Sequence, residues 1–61
     1  MCEFKVVFNG EILFKDVVYA KTEGNNVIVK NVLGEVREFE NCQINEVNVN
    51  TAKLGLGTVK P

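Results

Sequence analysis

Residues 2–10 read Cys2-Glu3-Phe4-Lys5-Val6-Val7-Phe8-Asn9-Gly10, and this stretch decides the fold class. Its apolar residues fall on even positions, with Val7 the only apolar side chain on the other face. A period of two marks a strand with one buried side. Asn9-Gly10 follows at once, and because both residues tolerate positive φ the pair specifies a tight hairpin turn.

The rest of the chain repeats this grammar. From Glu11 to Lys21 a second apolar stretch is interrupted at Lys15-Asp16, which predicts a bend or bulge. Glu23-Gly24-Asn25-Asn26 reads as a turn into a third strand, with Val27 and Val29 on one face and Asn26, Ile28 and Lys30 on the other. A turn around Gly34 leads to a fourth strand, Glu35 to Glu40, whose polar character predicts an edge position. A fifth, Cys42 to Asn50, changes phase between Ile44 and Val47, so a second bulge is expected near Asn45-Glu46. After a turn at Asn50–Lys53, a short last strand carries Leu54 and Leu56 on one face and Gly55 and Gly57 on the other. No helical period is sustained. The expected fold is all-β: residues 1–61 as a single small β domain, an antiparallel barrel or strongly bent sheet of SH3-like or Sm-like type with five to six short strands. An open antiparallel sheet that closes only by dimerising is the alternative.

A chain of 61 residues buries only about 60% of the surface it exposes when unfolded, so a metal or oligomerisation is the expected source of extra stability. Seven basic residues stand against eight acidic ones, and Arg37 is the single arginine. That balance lacks the basic footprint of a nucleic-acid binder. No apolar run has the length of a membrane span, and Glu3 and Lys5 interrupt the only stretch resembling a secretory signal. A cytoplasmic location is expected. With neither serine nor histidine in the chain, Ser-His and Cys-His nucleophilic chemistry and imidazole-based zinc sites are excluded. Glu38 and Glu40 share a strand face and read as a solvated edge. An enzyme is not expected.

Two cysteines remain. Cys42, two residues before Ile44 in an apolar strand, reads as a buried structural thiol. A disulfide with Cys2 is disfavoured in a reducing compartment. Cys2 fits the apolar phase of its own strand and so can be read as a packed core residue. It also lies beside the α-amine of Met1, a group titrating near ~7.7 in peptides, and backbone amides at the chain start. Amine or amide nitrogen with a thiolate closes five-membered chelate rings, an N,S donor set suited to square-planar Ni(II) or Cu(II). One chain supplies two or three such donors, and two chains about a twofold axis complete a four-coordinate site. Val7 and the Gly55/Gly57 face are the places where a dimer surface is first sought.

The order of features resembles the CooT family, small proteins linked to nickel insertion into carbon monoxide dehydrogenase. The likeness runs from Met1-Cys2 and Lys5-Val6-Val7 through Asp16-Val17, Glu23-Gly24 with Val27 and Val29, and Leu33-Gly34-Glu35, to Phe39, Ile44, Val47, Leu54 and Leu56. The resemblance implies a homodimer binding Ni(II) through Cys2 of each subunit, acting as accessory protein or metallochaperone to a nickel enzyme client. Cys42 falls where the family tends to have an apolar residue. A small β-barrel nucleic-acid-binding or protein-interaction module is the alternative function.

Overall fold

A computed structural model describes residues 3–59. They form six strands: β1 (Phe4–Phe8), β2 (Glu11–Glu23), β3 (Asn26–Asn31), β4 (Val36–Glu40), β5 (Cys42–Asn48) and β6 (Lys53–Thr58). All lie in one sheet, in the order β4-β3-β2-β1-β6-β5. The all-β expectation holds in its strongly bent form. The sheet is not closed into a barrel, since β4 and β5 are its two edges and do not pair.

The β1–β2 turn is the one expected: Asn9 (φ 53°) and Gly10 (φ 78°) are both left-handed, and Phe8 pairs with Glu11 across them. The 13 residues of β2 would span about 43 Å if straight, more than the 36 Å longest dimension of the molecule. The strand must bend, and three bulges bend it. Against β1 the pairing steps from Phe4↔Val17 to Val6↔Phe14 and then to Val7↔Ile12, which leaves one extra residue at Lys15-Asp16 and another at Leu13. Asp16 takes φ 58° to make the first. Against β3 the step from Val17↔Asn31 to Tyr19↔Lys30 adds Val18. β2 thus pairs with β1 along its first half and with β3 along its second, turning the sheet between them.

Two asparagines fasten the bends. Asn31, buried although polar, accepts from the backbone N–H of Leu33 (3.0 Å) and Glu35 (2.9 Å) and donates to Glu35 Oε1 at 2.7 Å, so its burial leaves no polar atom unmatched. The following residue, Val32, donates its N–H to the Asp16 carbonyl (2.9 Å), tying the β3–β4 turn to the bulge of β2.

Asn41 alone joins β4 to β5, and those strands are the opposite edges of the sheet. It is left-handed, φ 56°. Its own N–H points to Asn26 Oδ1 (3.4 Å), while Cys42 N–H bonds the Asn25 carbonyl and Val59 N–H bonds the Asn41 carbonyl, each at 2.9 Å. β4 is antiparallel to β3, and β5 is antiparallel to β6. Following the pairings around the sheet, the chain keeps its direction through Asn41 and only changes neighbours. That corner explains the one departure from an antiparallel sheet: β6 pairs parallel to β1, Lys5↔Lys53 through Phe8↔Leu56. Only four reversals separate these two strands, and an even number returns the chain in its starting sense.

Rolled this way, the sheet encloses Val6, Val17, Val27, Val29, Leu54 and Leu56, with Phe4, Phe8, Phe14, Ala20, Phe39, Cys42 and Ile44 packed around them. Full burial of one such aliphatic side chain is worth roughly 1.5–3 kcal/mol. Arg37 of edge strand β4 covers part of this packing, its guanidinium carbon 4.7 Å from the centre of the Phe14 ring. The second expected bulge is present at Asn45, between Ile44↔Leu56 and Glu46↔Gly55. The Asn45 side chain lies over Gly57, where a Cβ would meet its Cγ at 2.9 Å. β5 stops at Asn48 rather than Asn50, because Asn48 Oδ1 accepts from Thr51 N–H (3.2 Å) and starts the turn early.

Asn and Gly adopt the left-handed region readily, whereas other L-residues strain there by roughly 1–2 kcal/mol. Asn41→Gly is expected to retain the melting temperature nearly unchanged, and Asn41→Val to lower it by about 5–15 °C, on the usual scale for domains of this size, in thermal unfolding followed by circular dichroism. Gly57→Ala is expected to lower stability through its clash with Asn45, and the double variant Gly57→Ala/Asn45→Ala to recover most of the loss. A strictly additive double-mutant cycle would show that the contact is not the cause.

Candidate metal centre

Cys2 and Met1, the donors singled out in the sequence, lie outside the described residues; the structure describes where the chain carrying them enters. Glu3 is exposed and Phe4 opens β1. The entry point is held by the β5–β6 turn: Lys5 N–H bonds the Ala52 carbonyl (2.9 Å) and Lys5 Nζ the Thr51 carbonyl (3.2 Å). Ala52 itself is left-handed at φ 54°, an L-residue in a region that costs a side chain about 1–2 kcal/mol. On its other flank Phe4 faces Val17, one residue past the Asp16 bulge. Two tight backbone features therefore bracket the start of β1.

Two depressions meet at Phe4. One is polar, about 360 Å³, and brings Glu3, Lys5, Lys15 and Asp16 together beside Ile12 and Ala52. The other is an apolar groove of about 270 Å³ between β2 and β5, floored by Val17, Ala20, Ile44 and Leu54 and walled by Val18, Tyr19 and Val47. The walls stand in solvent: Tyr19 is 50% and Val47 59% exposed. This groove is the feature that sequence reading misses. Tyr19 falls in an apolar stretch and reads as core, but the bulge at Val18 breaks the alternation and leaves both residues outside. The other four aromatics pack against the core as expected.

The two places where a dimer surface is first sought are both partly covered within the chain. Val7 is half-buried rather than exposed, since β2 and β6 flank it at Ile12 and Gly55. The Gly55/Gly57 face is covered by the side chains of Glu46 and Asn45.

Cys42 is a free thiol, half-buried against the core. It packs against the core without the full burial expected from the sequence. It pairs with Thr58 at one end of β6, whereas β1 enters beside Lys53 at the other. About 17 Å of strand separates those ends. Among the described residues no three Cys, Asp or Glu side chains gather as a metal cluster, and the chain has no histidine. No helix of the described residues is long and apolar enough to cross a membrane.

The chain is 32% identical over 54 residues to the uncharacterized protein MJ1551 of Methanocaldococcus jannaschii, an alignment covering 88% of this chain and 93% of that one. The family model described as CO dehydrogenase accessory protein CooT matches residues 1–56, from the Met1-Cys2 start through β6 as far as Leu56. The chain belongs to the CooT family of CO dehydrogenase accessory proteins.

Proposed function

We propose that this protein is a cytoplasmic nickel-binding accessory protein. In this reading it carries one Ni(II) per homodimer, through the Cys2 thiolate and the N-terminal nitrogens at Met1 and Cys2 of each subunit. It delivers the ion to a nickel enzyme such as carbon monoxide dehydrogenase. The observation that carries this reading is the extent of the family match, which includes residues 1 and 2 and so takes in the one N,S donor pair of the chain.

Chemistry supports it further. Thiolate with amine or amide nitrogen is a soft-to-borderline set that favours a planar four-coordinate ion, and two chain ends, each giving its thiolate and one of its two nitrogens, supply four ligands. Nickel is cargo here, so the site must release it. A chain end approached from one side leaves the ion open to another protein's ligands, unlike the enclosed four-ligand cages of structural zinc. Phe4, Lys5 and the β5–β6 turn give that chain end a fixed base on the sheet.

Calorimetric Ni(II) titration of untagged protein tests the assignment, since a histidine tag would add the ligand type the chain lacks. Binding near one nickel per two chains is expected, abolished by Cys2→Ser and retained by Cys42→Ser; binding indifferent to Cys2 would sink it. Both donor types must lose protons to bind metal. Affinity is therefore expected to fall steeply as pH drops, with nickel released before pH 4. An absorbance titration showing the ion still bound at pH 4 would rule out this donor set.

A further inference from the structure

We propose that the apolar groove beside Phe4 is the face on which a second copy of this chain seats, so that the two grooves meet across the twofold axis of the nickel-bearing dimer. This rests on the nickel reading above and adds the surface through which the two chain ends are brought together.

The geometric argument begins at Phe4. Cys2 is two residues before it, and two residues of fully extended chain reach at most about 7 Å. Two thiolates on one ion lie within about 5 Å of each other, given metal–sulfur bonds of ~2.3 Å. With the reach of the Cys2 side chain added, the axis relating the copies passes within roughly 12 Å of both Phe4 residues. A twofold interface uses the same patch on each subunit, so a surface abutting Phe4 must meet its own image.

Two depressions abut Phe4, and they differ in what contact would cost. The polar one carries Lys5 and Lys15 with Glu3 and Asp16, and none of these four makes an ion pair among the described residues. Covering it would strip water from four charges. The groove is walled by Val18, Tyr19 and Val47, which are 44–59% exposed. The charges at its rim are already matched: Lys53 Nζ lies 2.9 Å from Glu46 Oε1, next in sequence to Leu54 and Val47. The groove can be covered without stranding a charge, and its walls supply apolar area that the monomer leaves in water. The core needs that area, for only six apolar side chains are buried in the described residues.

Sedimentation and calorimetric Ni(II) titration of the untagged full chain decide the matter, using wild type, Val47→Glu, Tyr19→Glu, Lys15→Glu as the polar-cleft control, and Cys2→Ser. All the substituted groove positions are at least half exposed, and circular dichroism confirms that each variant keeps the native fold; having two groove variants guards against one misfolding. Val47→Glu and Tyr19→Glu are expected to shift the protein to monomer and weaken nickel binding at least tenfold, while Lys15→Glu matches wild type. If both groove variants dimerise and bind nickel as wild type does, and Cys2→Ser alone abolishes binding, the nickel reading stands and the groove is not the interface. If they dimerise normally yet fail to load a nickel enzyme, the groove receives the client and the proposal is likewise overturned. If wild type takes up no nickel but its dimer is still broken by the groove variants alone, the interface stands and the nickel reading falls.

Discussion

The fold depends on one residue that does not reverse the chain. At Asn41 the backbone passes from one edge of the sheet to the other in a single left-handed step, and that step obliges four intervening strands to roll until their edges converge. Everything enclosed by the roll follows. Val27 and Val29 of β3 and Leu54 and Leu56 of β6 share a core although two strands lie between theirs in the sheet. The bulges of β2 make the roll geometrically possible, and the bonds from Asn25, Asn26 and Val59 to the corner hold it. A flat six-stranded sheet of this composition would leave one apolar face in water.

Much of this is legible along the chain and some is not, for a physical reason. Signals confined to neighbouring residues can be read: the two-residue turn at Asn9-Gly10, the edge character of β4, and the phase breaks at Lys15-Asp16 and Asn45. Glu40-Asn41 carries no comparable signal. A polar pair between two strands looks the same whether the chain turns back or carries on, so the parallel pairing of β1 with β6 stays hidden. The bulges at Leu13 and Val18 are also silent, because each falls inside a short apolar run, 12–14 or 17–20. For the site the division is the same. Cys2 is conspicuous as a thiol beside a chain terminus, which is local chemistry. The groove is assembled from Phe4, Tyr19 and Val47, residues of three strands, and no window on the sequence contains them.

Membership of an accessory family suits a fold with so little interior. The depressions that meet at Phe4 are open, and the start of β1 is anchored to the β5–β6 turn by Lys5. Cys42 is packed at the corner, where it donates its N–H to the Asn25 carbonyl.

The pairing of Lys5 with Lys53 has a temporal consequence. Contacts between residues far apart in sequence incur the largest loop-closure entropy and set the pace of folding. β1 can pair with β2 early, across its two-residue turn. Its second neighbour, β6, is the last of the six strands to be synthesised, so β1 gains its other flank only after the five strands before it have been made. Until then β1 is held on one side alone, and the bonds from Lys5 to the β5–β6 turn report that all six strands are in place.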